Sequence, residues 1–73
     1  MAEPGTYDAT VIEATDEAAT FRLQNTGEHV SVKFKTTSDA RLAQLMEMTD
    51  GSPTPGKRVT LELGVFEAVQ NIW

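Results

Sequence analysis

Cysteine is absent from the 73-residue chain. That excludes a disulfide framework, a thiolate zinc site and a cysteine nucleophile. Very small secreted domains usually rely on disulfide staples, so the expected compartment is the cytoplasm. No run approaches the roughly 20 apolar residues that span a bilayer, so no membrane partner is expected. The start, Met1-Ala2-Glu3-Pro4-Gly5, has neither the basic flank nor the apolar stretch of a secretion signal. Residues 1–5 read as a flexible N-terminus. Basic residues are few: six Lys and Arg face eleven Asp and Glu, a formal net charge of -5. Nucleic-acid affinity rests on cations displacing counterions from phosphates, so that balance favours such a ligand only if the cations gather on one face. A chain of this length builds a single thin core, with few walls for a deep, solvent-excluded active site. The expectation is one domain over residues 1–73.

The chain's clearest pattern is a pair of alternating runs, Thr20-Phe21-Arg22-Leu23-Gln24 and His29-Val30-Ser31-Val32-Lys33-Phe34-Lys35, joined by Asn25-Thr26-Gly27-Glu28. A period of two predicts strands, and a turn glycine predicts that they fold on each other. Phe21, Leu23, Val30, Val32 and Phe34 then share one face and seed a core. Thr20, Arg22, Gln24, His29, Ser31, Lys33 and Lys35 share the other.

An earlier strand is expected over Thr6–Ala14, with Tyr7, Ala9 and Val11 inward and Ile12 breaking the alternation. A short acidic join, Thr15-Asp16-Glu17, leads from it into the strand Ala18–Gln24. After Lys35 the period changes. Leu42, Leu45, Met46 and Thr49 lie at helical spacing, with Thr37 or Ser38 as the capping residue, Asp39 in the first turn and Gly51 at the stop. A Pro/Gly loop over 50–56 precedes a fourth strand, in which Val59, Leu61 and Leu63 alternate with Arg58, Thr60 and Glu62. Gly64 marks a bulge or tight turn before a fifth strand, Val65–Trp73. Two sets compete for the inner face of that strand: Phe66, Ala68 and Ile72 against Val65, Val69 and Trp73.

Three strands, a helix and two strands match the order of the five-stranded antiparallel OB barrel, a mainly β fold with its helix between strands three and four. An open antiparallel meander with one packed helix is the alternative. The barrel is preferred because closure removes exposed edges.

Gly51-Ser52-Pro53-Thr54-Pro55-Gly56-Lys57 imitates a phosphate-cradling loop, but Arg58 replaces the magnesium-holding hydroxyl. The loop also follows a helix instead of preceding one, and its prolines lack the N–H groups that wrap a phosphate. Nucleotide hydrolysis is therefore rejected. His29 is the sole histidine, at a strand end, and no surrounding motif makes it a catalytic base. Glu13, Asp16, Glu17 and Glu28 form an acidic rim if the two turns lie close, without the spacing of a calcium loop. No enzyme activity, metal or cofactor is expected.

What remains is the outer face of strands two and three, where Arg22, Lys33 and Lys35 supply half of the chain's cations. That face lacks the aromatic residues on which bases stack.

The stretch Pro4-Gly5-Thr6-Tyr7-Asp8-Ala9-Thr10-Val11-Ile12-Glu13-Ala14 resembles the opening strand of small phage-type OB-fold proteins that bind single-stranded DNA. In that family a Gly-x-Tyr-x-Ala start precedes a hairpin ending in an apolar-x-Phe strand, as in Val32-Lys33-Phe34. The segment from Gly56-Lys57-Arg58-Val59 to Asn71-Ile72 is similar to the closing strands. The resemblance implies an OB-like fold and a phage-like origin. It gives Arg22, Lys33 and Lys35 the phosphate-contacting role.

The leading expectation is a non-catalytic acidic regulator that binds a larger host protein, such as RNA polymerase. The alternative is a binder of single-stranded DNA or RNA. The candidate contact residues are Arg22, Gln24, Ser31, Lys33, Lys35 and, as an interface anchor, Trp73. The expected state is a monomer or weak homodimer.

Overall fold

The strand β1 (Gly5–Ala14) is long enough to serve two partners in succession. In the computed structural model, which describes residues 3–66 and 68–73, its first half pairs with β4 (Arg58–Leu63), from Gly5↔Leu63 to Thr10↔Arg58. Its second half pairs with β2 (Ala18–Leu23), from Ala9↔Leu23 to Ala14↔Ala19. The two ladders overlap only at Ala9 and Thr10, so the sheet curls around β1 instead of lying flat. A bulge reinforces the bend: Val11 faces Phe21 and Glu13 faces Thr20, leaving Ile12 as the extra residue. This explains why Ile12 breaks the alternation. It also lets Val11 and Ala14, three positions apart, both serve the core.

The hairpin forms as expected, with β2 paired to β3 (His29–Lys33) from Ala18↔Lys33 to Arg22↔His29. Gly27 turns the chain at φ 73° and donates its N–H to Leu23 O at 2.9 Å. Phe21, Leu23, Val30, Val32 and Phe34 are all buried, together with Ala9, Val11, Leu61 and Val59. Burying one such large apolar side chain contributes about 1.5–3 kcal/mol.

The helix α1 (Ala40–Met48) lies between β3 and β4. It buries Leu42 and Leu45, and the following Thr49 is buried with its hydroxyl donating to Leu45 O at 2.7 Å. Three expectations need correction. The N-cap is Asp39, whose Oδ1 accepts the Arg41 N–H at 2.9 Å; neither Thr37 nor Ser38 takes that role, and Asp39 does not lie in the first turn. Met46 is 41% exposed, because the helix packs chiefly against β5 and buries only the narrow stripe of Leu42 and Leu45. At the far end Gly51 donates to Met46 O and Asp50 to Glu47 O. That is a Schellman closure at the expected stop, in which Asp50 takes the left-handed conformation at φ 56° and Gly51 follows at φ 78°.

The last strand, β5 (Val69–Ile72), is much shorter than the expected Val65–Trp73. Its ladder with β4 runs Leu61↔Ile72 and Glu62↔Asn71, then shifts to Leu63↔Val69. Gln70 is the extra residue, so Val69 and Ile72 both turn inward and neither of the two competing alternations holds. Val65 and Phe66 belong to the turn before the strand, and Glu67 lies outside the described residues. The N-terminus also differs from expectation. Gly5 is already in β1, and the Tyr7 hydroxyl donates to Glu3 O at 2.6 Å, while residues 1 and 2 lie outside the described residues.

The strand order is β3-β2-β1-β4-β5, all antiparallel. Placing β4 beside β1 makes a Greek key, which excludes the simple meander. The result is the five-stranded OB-like architecture expected, curled into a half-barrel with the helix between β3 and β4. The edges β3 and β5 approach each other without pairing. Across that seam Arg41 donates from Nη1 to Val69 O at 2.7 Å and from Nη2 to Lys33 O at 3.1 Å. Asp39 holds the guanidinium by accepting from its Nε and Nη2, and accepts the Lys35 N–H at 3.0 Å as well.

The Arg41 guanidinium, followed by the main-chain N–H groups of Lys35 and Arg41, holds the Asp39 carboxyl well below the usual carboxylate range. Folding lowers this pKa, so the stabilisation is complete above about pH 4 and is lost as pH falls below it. Asp39→Asn should therefore lower the urea midpoint at pH 7, with the gap to the parent protein narrowing below about pH 4; a gap independent of pH contradicts the assignment. Arg41→Met should lower the melting temperature by several degrees by leaving Lys33 O and Val69 O without their donor. Asp50→Gly should act oppositely, raising stability by about 0.5–1 kcal/mol in denaturant titration, because glycine enters the left-handed region without a Cβ penalty.

Candidate binding surface

Outward-facing residues of adjacent strands fall into rows across the half-barrel, and the register states which residues share a row. Thr10 pairs with Arg58 on one side and Arg22 on the other, and Arg22 pairs with His29. The row Arg58–Thr10–Arg22–His29 therefore crosses four strands, a band of roughly 15 Å at normal strand spacing. Arg58, Arg22 and His29 are exposed and Thr10 is half-buried.

A second row lies beside it. The Trp73 N–H donates to Thr60 O at 2.8 Å, Thr60 faces Asp8, and the Gln24 N–H donates to Asp8 O at 2.9 Å. The Gln24 side-chain amide also hydrogen-bonds the Thr10 hydroxyl, which ties the two rows together. On the other flank Thr20 pairs with Ser31 and their hydroxyls hydrogen-bond at 3.2 Å; Lys33 follows opposite Ala18.

The fold thus brings Arg22, Gln24, Ser31 and Lys33 onto one continuous surface with His29. It separates the other two candidates. Lys35 lies past the end of β3, its main chain tied to Asp39, and borders an open groove lined by Thr36, Asp39, Ala40, Arg41 and Gln70. Trp73 is 56% exposed on the same outer face, but on the far side of β1 and β4 from the hairpin. The outer face as a whole therefore carries an aromatic residue, although its β2–β3 portion has none.

Arg58 is the contributor that sequence reasoning left off the surface. Its outward position was readable from the alternation of the fourth strand. That it stands one strand from Arg22 depends on the β1–β4 register, which no local pattern encodes. The expected acidic rim does not form. Glu13, Asp16 and Glu17 lie near the β1–β2 turn, whereas Glu28 lies at the β2–β3 turn, at the opposite end of β2. Among the described residues no group of three or more His, Asp or Glu is placed to hold a metal ion.

The β4–β5 turn presents Val65 and Phe66 at 74% and 88% exposure. It starts at Gly64, whose N–H donates to Ala68 O at 2.8 Å. A Cβ at Gly64 would lie 2.4 Å from the Gln70 amide nitrogen, so any side chain there must displace Gln70. No helix among the described residues is long and apolar enough to cross a membrane. No family model, curated protein or solved structure matches the chain.

Proposed function

We propose that this chain is a non-catalytic regulator that acts by binding a larger protein through its outer face. The observation carrying this reading is the composition of that face: Trp73 stands exposed on the surface that also displays Arg58 and Arg22. Tryptophan and arginine are the residues most enriched at the energetic centres of protein interfaces. Asp8 and Glu62 are interleaved with them, as in a mixed-charge protein interface, whereas a polyanion track favours uninterrupted cations. The overall charge of -5 further opposes long-range attraction of a polyanion such as nucleic acid. The resemblance to small phage-type proteins makes a host nucleic-acid-handling enzyme, such as RNA polymerase, the first partner to test. The protein is proposed to act in the cytoplasm, as a monomer or weak homodimer.

A second reading, single-stranded DNA or RNA binding, is favoured by one observation, the Arg58–Thr10–Arg22–His29 row running across the strands. Trp73 adds a stacking surface on the same face.

Immobilised protein incubated with host lysate, with and without nuclease, separates the two. The protein reading expects a large partner retained after nuclease, with Trp73→Ala reducing its affinity about tenfold or more. Recovery of nothing above control sinks that reading. The nucleic-acid reading expects labelled single strands to bind at low salt with affinity falling steeply as salt rises, and Arg22→Ala/Arg58→Ala/Lys33→Ala to flatten that dependence. No oligonucleotide shift at low salt removes it.

A further inference from the structure

The exposed edge of β3 has a hydrogen-bonding pattern that the barrel does not use. The Leu23 N–H donates to Glu28 O at 2.8 Å and the Phe34 N–H to Glu17 O at 2.9 Å. Antiparallel strands alternate between residues bonded to the neighbour and residues facing away. Between those two fixed points the main-chain groups of Val30 and Val32 face β2, and those of His29, Ser31 and Lys33 face outward. On that side only Lys33 O has a partner among the described residues, Nη2 of Arg41. The N–H and C=O of His29 and Ser31, and the N–H of Lys33, form an unpaired ladder along a strand with no further neighbour.

We propose that this edge accepts an extended acidic segment of the protein partner as an added strand, completing the sheet beyond β3. This deepens the protein-binding reading and rests on it. The choice of occupant follows from charge. The outward side chains along the edge are His29, Ser31 and Lys33, with Lys35 just beyond and Arg22 one strand in. No acidic side chain shares the outward positions of β2 or β3. Glu or Asp at alternate positions of an incoming strand therefore lies beside uncompensated cations, and opposite charges across strands stabilise pairing. A second copy of this chain is the wrong occupant. Antiparallel pairing centred on Ser31 sets each Lys33 against a His29 and gives neither lysine a counter-charge. Edge lysines guard against self-association because a second copy offers them no counter-charge, and the same unpaired cations select an acidic strand. Main-chain bonding supplies affinity and the side-chain alternation supplies specificity, as in other strand-addition complexes.

The test uses the full chain and a synthetic peptide of about ten residues, with Glu alternating with Thr or Val. A companion peptide is N-methylated at the amides that would face β3, and amide NMR shifts and hydrogen exchange are read. The acidic peptide should protect the His29, Ser31 and Lys33 amides, and N-methylation should abolish that protection. Lys33→Glu should weaken binding about fivefold. Ser31→Pro, which removes an outward N–H and no ladder bond, should abolish protection while melting cooperatively like the parent. Equal binding of the N-methylated peptide overturns the proposal, as do shifts confined to Arg22 and Arg58, a single-stranded oligonucleotide protecting the same amides, or no shift at millimolar peptide. A lysate partner retained by both the parent and a folded Ser31→Pro variant also overturns the edge mode, while leaving the protein-binding reading intact. Absence of both lysate partner and peptide binding in the parent protein removes both readings.

Discussion

The guanidinium of Arg41, held by Asp39, is the contact on which the rest of this structure depends. Five short strands curl far enough to bring β3 and β5 together at one end, but they do not join them with backbone bonds. One side chain bridges the gap by donating to a carbonyl on each edge. The Asp39 carboxylate fixes that side chain, starts the helix and ties down the chain leaving β3. Sheet closure, helix position and loop path are thereby linked through a single ion pair at 3.1 Å. Much of this network is shielded from water, with the Asp39 side chain 8% and the Arg41 side chain 22% exposed, so bulk solvent screens it less than an ordinary surface pair.

Two bulges set the shape that this contact closes. The extra residues Ile12 in β1 and Gln70 in β5 each break the two-residue period and bend their strand. Each bulge also aims two inward side chains at a core that is only one layer deep. The outer face is shaped by the same geometry. Its rows of side chains follow from register, so the cation row exists because β4 lies beside β1.

Much of the fold was legible in the sequence because its signals are local. The hairpin from Thr20 to Lys35 alternates strictly, and every residue assigned inward from Phe21 to Phe34 is buried. The fifth strand was harder, since a bulge mixes two alternations and no single-residue signal marks Gln70 as the extra one. The N-cap was misplaced because Thr37, Ser38 and Asp39 are all good caps, and the choice is made by Arg41 and Lys35 in three dimensions. No local pattern in the sequence marks Arg41 as the residue that bridges the two edges. The candidate surface was half legible: Arg22, Gln24 and Ser31 do share a face, but the alignment of Arg58 with them requires the pairing of strands far apart in sequence.

The divided pairing of β1 has a consequence for how the chain reaches this state. Its second half meets β2 across a tight turn, a local event that closes little loop entropy. Its first half must wait for β4, and the Gly5↔Leu63 pair joins residues near opposite ends of the chain. During synthesis, which proceeds from the N-terminus, the first three strands exist before that partner does. Sequence separation favours the local pairing over capture of the late strand, so one bulged strand takes part in both a local and a distant contact of the sheet.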